Sequence, residues 1–228
     1  MKIAELFFSI QGEGILTGVP SAFVRTSGCN LRCAWCDTAY TSWQPEGTHL
    51  AVAAILDRLA AYPTKYVVVT GGEPMLMPEV VDLCAGLRER GYHITIETAA
   101  TVFRPAVCDL ASLSPKLSNS TPRQREGGRW AMRHDRLRLR PEVIQAFMQW
   151  CDYQLKFVID RTEDVDEVLS LLRALPAVNR GKVLLMPQGV TRDELAARGP
   201  WLADVCKEHG FRFCPRLHIE LYGNRRGT

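Results

Sequence analysis

No apolar run in this sequence approaches the roughly 18 residues that a helix needs to cross a bilayer. The opening stretch MKIAELFFSIQGEG places Glu5 inside its short apolar run and then turns polar, so it lacks the unbroken apolar segment of a secretory signal. A dominant charge is missing too: 28 Lys and Arg stand against 25 Asp and Glu, a net +3, which gives no general basis for gripping nucleic acid or an anionic membrane. Internal repeats and low-complexity tracts are absent, which excludes solenoids and disordered linkers. The expectation is a soluble, cytoplasmic chain. With 228 residues, 46% of them hydrophobic, it is long enough to bury one core, and a single domain over residues 1–228 is expected.

What is present begins with eight cysteines. In a reducing compartment these argue for metal ligands or buried thiols rather than a disulfide framework. Cys84, Cys108, Cys151, Cys206 and Cys214 are scattered, mostly in apolar surroundings such as VVDLCAGL, and read as core thiols. Cys29, Cys33 and Cys36 are different, because GCNLRCAWCDT sets all three within eight residues.

Elsewhere the pattern is one of alternation. The runs AFVRTS, YVVVTG, YHITIET, DLASLSP, YQLKFVI, KVLLMP and FRFCP read as strands, and apolar residues at helical spacing mark helices over roughly 50–61, 77–90, 141–151, 163–175 and 192–208. Strand and helix in steady succession imply parallel strands joined by right-handed crossovers. A full eightfold barrel takes about 250 residues, so the expected fold is α/β, an incomplete, TIM-like βα barrel of about six βα units. In such a fold the chemistry gathers where strands end and loops begin. The strands here run into TGGEP (70–74), ETAAT (97–101), SPK (114–116), MPQG (186–189) and PRLH (215–218).

A closed structural zinc site uses four protein ligands, and the common iron–sulfur cluster takes four thiolates. Three clustered thiols leave one position open. His49 lies thirteen residues beyond Cys36, at the start of a predicted helix, and is not placed to close the set. The best fit is a four-iron cluster with one exchangeable ligand position, which can chelate a small molecule and pass an electron into it.

Cys29, Cys33 and Cys36, spaced Cys-x3-Cys-x2-Cys with Trp35 before the last, resemble the signature of the radical S-adenosylmethionine enzymes, and TGGEP resembles that family's glycine-rich strand end. The resemblance implies a 4Fe-4S cluster whose open iron binds S-adenosylmethionine, one-electron cleavage of that molecule, and hydrogen-atom abstraction from substrate. Taken with FFSIQGEG, FVRTSGCNLRCAWCDT, SPK and PRLHIELYGNRRG, the chain resembles the 7-carboxy-7-deazaguanine synthase family of queuosine biosynthesis over almost its whole length. That implies a homodimeric lyase that contracts 6-carboxy-5,6,7,8-tetrahydropterin to 7-carboxy-7-deazaguanine with loss of ammonia. In this implied chemistry magnesium assists and S-adenosylmethionine is regenerated.

Carried onto this sequence, the resemblance implies substrate contacts at Ile10, Gln11, Gly12, Arg25 and Thr70. It implies S-adenosylmethionine contacts at Gly72, Glu73, Ser114, Pro115, Lys116, Met186, Pro187, Gln188 and Gly189, and magnesium at Thr38. Arg25 is also the residue that simple chemistry favours, since a guanidinium fork suits a carboxylate. Glu97 reads either as a contact to ribose or pterin or as the partner of a nearby Lys, and His218 as a satisfied core histidine. The segment 119–140 carries seven arginines against Glu126 and Asp135. It reads as a solvated loop before a helix or as a docking patch for an acidic electron donor such as a flavodoxin, with nucleic acid a weaker third. Two rival readings use the same thiols. A glycyl-radical activase would act on a partner protein through an open groove, and a non-catalytic metal module would need a fourth, closing ligand.

Overall fold

The computed structural model describes residues 1–228. The chain opens with an antiparallel hairpin, β1 (Lys2–Ile10) and β2 (Pro20–Thr26), followed by the short helix α1 (Ala39–Ser42) and the two-residue strand β3 (Thr48–His49). The βα succession then runs α2 (Val52–Leu59), β4 (Tyr66–Gly71), α3 (Val80–Glu89), β5 (His93–Thr98) and β6 (Leu110–Leu113). It continues through α4 (Ala131–Leu137), α5 (Pro141–Trp150), β7 (Tyr153–Ile159), α6 (Glu163–Ala174), β8 (Val183–Pro187), α7 (Arg192–His209), β9 (Arg212–Phe213) and α8 (Leu217–Tyr222).

All nine strands form one sheet in the order β3-β1-β2-β4-β5-β6-β7-β8-β9. From β2 to β9 every pairing is parallel, while β1 is antiparallel to both of its neighbours. The sheet does not close, so the fold is the incomplete βα barrel that the alternation predicts. The steady alternation fails in two places. The N-terminal hairpin has no crossover helix because β1 and β2 are antiparallel and joined directly, and Glu5 on β1 is held half-buried by Arg25 opposite it on β2. The β5–β6 connection also has no helix; Phe103 instead packs edge-on against Phe147 and Trp150 of α5, with ring centroids at 5.0 and 6.0 Å. His49 lies in β3 rather than at a helix start.

The helices form where the sequence supplies both a buried stripe and terminal signals. Helix α7 begins at a capping box in which the Thr191 hydroxyl accepts from Glu194 N and the Glu194 carboxylate accepts from Thr191 N, and it ends at Gly210 in the left-handed region. Such a cap contributes about 1 kcal/mol. The main core lies between the sheet and its outer helices, with Phe157, Leu155 and Ile159 of β7 facing Phe147, Ile144 and Val168. Each of these large apolar side chains contributes about 2 kcal/mol by leaving water.

Period-two alternation then sends the intervening residues to the inner face. Phe23 and Arg25, Val68 and Thr70, Glu97, Ser114, Lys156 and Val158, and Met186 and Gln188 all line a single cavity at the carboxyl ends of the strands. Of the scattered thiols, Cys84, Cys206 and Cys214 are buried, whereas Cys108 and Cys151 are half-buried with their sulfurs 3.1 Å apart.

Candidate active site

The cavity encloses about 370 Å3, which falls in the range of small-molecule sites. Cys29, Cys33 and Cys36 all line it. Their loop is pinned on every side by backbone bonds. Gly28 N donates to Thr41 O at 2.8 Å, Glu73 N to Gly28 O at 2.9 Å, Ala34 N to Ser120 O at 2.8 Å, and the Trp43 indole to Cys33 O at 3.0 Å. Within the loop, Arg32 Nη1 donates to Cys29 O at 2.8 Å.

One buttress left no mark in the sequence. Arg32 N donates to His134 Nδ1 at 3.1 Å, and His134 Nε2 lies 2.9 Å from Ser120 Oγ. An Nδ1 that accepts requires the neutral ring with its proton on Nε2. Burial accordingly pushes the His134 pKa down to about 4.

Burial raises the Cys29 thiol to about 12 and the Cys33 thiol further, and in both cases the neighbouring thiols add to the shift. As free groups they stay protonated; metal binding deprotonates such thiols outright. Nowhere are three His, Cys, Asp or Glu side chains gathered tightly enough to hold one metal ion. No closing fourth ligand is gathered with the three thiols. Three thiols around one cavity suit a cluster with an open corner.

Beside the triad the TGGEP turn passes very close to the loop. A Cβ on Gly72 would collide with the Gly28 carbonyl oxygen and stand 2.8 Å from that of Thr41, so only glycine fits. Glu73 takes a part the sequence did not predict. It is fully buried, and its carboxylate accepts from Met75 N at 3.1 Å, Thr98 Oγ1 at 2.7 Å and Ala99 N at 2.9 Å. Burial nevertheless raises its pKa against these three donors. Glu73 is thus a brace between two rim loops and does not line the cavity. Pro115, Pro187 and Gly189 do not line it either, whereas Gly72, Ser114, Lys116, Met186 and Gln188 do. Lys116 Nζ donates to Ser114 Oγ at 2.7 Å.

Ile10, Gln11, Gly12, Arg25, Thr70 and Thr38 are brought to the same cavity. Arg25 lies beside Thr70 in the β2–β4 register, and its Nε donates to Glu5 Oε2 at 3.0 Å. Its two terminal nitrogens make no hydrogen bond within the protein, so the fork remains free to grip a carboxylate. Thr38 stands at the N-cap of α1 without a side-chain capping bond, and its hydroxyl is 3.9 Å from Cys36 Sγ.

The cavity floor is an ion network that motif reading missed. Lys156 Nζ donates to Glu13 Oε2 at 2.6 Å and to Glu97 Oε2 at 2.9 Å. Arg216 reaches the other Glu13 oxygen at 3.0 Å and Asp37 at 2.5 Å. Burial alone would raise Glu13, but Lys156 and Arg216 overcome it and hold that carboxyl far below the usual range. The same balance lowers Asp37 through Arg216, and it raises Lys156 through Glu13 and Glu97 in spite of burial. Glu97 thus both pairs with a lysine and faces the cavity. His218 is not a satisfied core histidine, since it makes no hydrogen bond to the protein and lines the cavity. It packs so tightly on Gly12 that a Cβ there would collide with its ring. Burial lowers its pKa and so favours the neutral imidazole.

The chain can be compared with known proteins. The radical SAM superfamily profile matches residues 23–116. Over 229 residues the chain is 45% identical to the 7-carboxy-7-deazaguanine synthase of Rhodopirellula baltica, covering 100% of this chain and 89% of that one. To the 7-carboxy-7-deazaguanine synthase of Halobacterium salinarum it is 44% identical, covering 100% and 93%. The crystal structure of QueE from Escherichia coli superposes with a TM-score of 0.70 at 24% identity, over 95% of this chain and 94% of that one. At that identity the likeness bears on the fold alone.

Proposed function

The chain belongs to the radical SAM superfamily and, within it, to the 7-carboxy-7-deazaguanine synthase family, and from that premise we propose how its cavity works. It is a radical S-adenosylmethionine lyase that takes a small-molecule substrate and uses a 4Fe-4S cluster and S-adenosylmethionine. The reaction is conversion of 6-carboxy-5,6,7,8-tetrahydropterin to 7-carboxy-7-deazaguanine with loss of ammonia. When bound, the cluster and S-adenosylmethionine together supply one-electron chemistry that ends in hydrogen-atom abstraction.

The residues divide that work. Cys29, Cys33 and Cys36 hold the cluster. Gly72, Ser114, Lys116, Met186 and Gln188 line the S-adenosylmethionine side of the cavity. The substrate lies over Ile10, Gln11, Gly12 and Thr70, with its carboxylate on the free fork of Arg25. The Glu13–Lys156–Glu97 floor meets the polar edge of the heterocycle; each of its charges already has a partner within the protein, so they orient a ligand without reorganising. Thr38 would offer its hydroxyl to a magnesium ion, which would help to orient the substrate carboxylate. Two chains pair as a homodimer, a reading supported by the outer edge of β1, of which β3 covers only Lys2 and Ile3. No helix is long and apolar enough to cross a membrane, and the proposed setting is the cytoplasm, with an acidic protein such as a flavodoxin as the electron donor.

The observation that carries this reading is the position of the Arg25 fork, free within the same 370 Å3 cavity that the three thiols line. Arg25→Gln is expected to weaken substrate binding by about 1.5 to 3 kcal/mol and to spare the cluster and slow substrate-free cleavage of S-adenosylmethionine. A wild-type KM in that variant would remove Arg25 from the substrate site.

A further inference from the structure

Residue Ala34, between Cys33 and Trp35, is exposed, so the thiol loop reaches the surface at one of its own residues. The arginine-rich segment folds directly over that point, although it lies some ninety residues further along the chain. Arg125 Nη1 donates to Ala34 O at 3.3 Å, and the Arg125 guanidinium sits 3.9 Å over the Trp43 ring, whose indole is in turn bonded to Cys33 O. Arg32, inside the loop, lies 5.0 Å from the Trp130 ring, and Arg129 and Arg133 stand 5.3 and 5.8 Å from the same ring. Three guanidinium groups thus share one indole at the edge of the loop.

The local carboxylates do not neutralise this face. Glu126 is occupied by Arg129 at 2.6 Å and by the Trp130 indole at 3.2 Å, while Asp135 is taken up by Thr121, Arg123 and Arg138. Arg32, Arg125 and Arg133 have no carboxylate within 4.0 Å. Stacking on tryptophan fixes these cations at little further entropic cost, and none of the four lines the substrate cavity. Met132, beside them, is 86% exposed and adds an apolar contact to the charged rim. Specific protein docking favours this mixture of Arg, Trp and Met.

We propose that the face formed by Arg32, Arg125, Trp130, Arg129, Met132 and Arg133 is the docking surface for an acidic one-electron carrier protein, which delivers its electron through the exposed edge of the thiol loop. The assignment rests on the radical S-adenosylmethionine reading above, which requires an electron from outside the chain. Charge complementarity selects the partner and speeds its encounter. The clustering of Arg32, Arg125 and Arg133, none of them paired with a carboxylate, on one small face beside the thiol loop favours a compact acidic protein over a nucleic-acid strand, which calls for a basic track.

The test uses reduced flavodoxin as probe and compares the reconstituted holoenzyme with the Arg129→Glu, Arg133→Glu double variant and with its lysine counterpart, Arg129→Lys, Arg133→Lys. Circular dichroism and cluster absorbance establish that each variant is folded and loaded. The Kd for flavodoxin, read from flavin fluorescence, and the half-saturating flavodoxin concentration in turnover should both rise about tenfold or more in the glutamate variant. They should stay near wild type in the lysine variant, and added salt should weaken wild-type binding far more than the variant's. With dithionite as electron source all three proteins should turn over alike. Unchanged flavodoxin binding in the glutamate variant would overturn the proposal. So would loss of single-stranded RNA binding with flavodoxin unaffected. Failure of the wild type with dithionite would count against the catalytic reading instead, and the Kd comparison would still decide the docking surface.

Discussion

Lys156 and Glu97 form an ion pair of 2.9 Å across the cavity floor, one from the centre of β7 and one from near the end of β5, with the lysine only 3% exposed. Their neighbour Glu13 completes the group at 2.6 Å. Removing the shared cation leaves two carboxylates facing each other in a desolvated site, and breaking a buried pair in this way costs about 3 to 5 kcal/mol. Lys156→Met should therefore lower stability by about that amount in urea unfolding, whereas Glu97→Gln, which leaves Glu13 to balance the lysine, should cost less than half as much. Equal losses would mean that Lys156 is not the hub.

Gly72 stands where any larger residue meets the backbone of the thiol loop at Gly28 and Thr41. Gly72→Ala should displace Gly28 and with it Cys29, so that anaerobic reconstitution yields less iron and weaker 4Fe-4S absorbance, while far-UV circular dichroism stays unchanged. Full iron loading with normal S-adenosylmethionine affinity would show that the turn can yield.

His134 makes the support of the thiol loop sensitive to acid. Its folded pKa is about 4 because burial disfavours the charged ring, whereas an unfolded imidazole titrates near 6.5. Between those values the unfolded chain binds a proton that the folded chain does not. Stability therefore falls as pH drops from about 6.5 towards 4, by up to ~1.4 kcal/mol per pH unit. His134→Asn removes the titration and can keep an acceptor for Arg32 N, so its anaerobic unfolding free energy should fall less steeply over that window than the wild type's. Parallel pH profiles would remove His134 from the account.

Thr38 carries the first hydroxyl along the sequence after Cys36 and makes no capping bond, although Ser42 Oγ lies closer to the Cys36 sulfur, at 3.2 against 3.9 Å. Thr38→Val should raise the magnesium concentration for half-maximal turnover and leave cluster content and S-adenosylmethionine affinity alone. Wild-type turnover that ignores magnesium, or a variant with the same magnesium response, would leave Thr38 as a turn residue.

The parts legible in the sequence were those whose chemistry is local. Cys29, Cys33 and Cys36 are read from spacing alone, and β4 and β7 from their unbroken apolar and β-branched runs. The five helices read from the sequence fall within a few residues of α2, α3, α5, α6 and α7 because stripes and caps agree, as Thr191 and Glu194 do for α7. The short α1, α4 and α8 were not read, and α4 lies inside the segment 119–140 that reads as a loop. Strand β1 is not among the runs that read as strands: Glu5 interrupts its apolar run, and the partners that make that glutamate tolerable, Arg25, Tyr40 and Arg226, lie 20, 35 and 221 residues on. The cavity floor escaped for the same reason on a longer scale, since Lys156 meets Glu13 across 143 residues and Arg216 meets it across 203. One signal was available: Gln154 and Lys156 lie two apart in a strand that is buried throughout, which places both on one face, aimed at something polar. The position of 119–140 over Ala34 could not be read from charge counting, because nothing in a run of arginines says which loop it folds against.

The central claim is that three thiols, a free Arg25 fork and the Glu13–Lys156–Glu97 floor make this cavity a site of radical ring contraction. The most direct measurement is an anaerobic incubation of the reconstituted chain with 6-carboxy-5,6,7,8-tetrahydropterin, S-adenosylmethionine, magnesium and dithionite, following product by mass spectrometry and ammonia by enzymatic assay. The account predicts 7-carboxy-7-deazaguanine and ammonia in equal amounts over many turnovers, with little consumption of S-adenosylmethionine, and no product from Cys29→Ala. Cleavage of S-adenosylmethionine without 7-carboxy-7-deazaguanine, in a preparation with full iron loading, would contradict it.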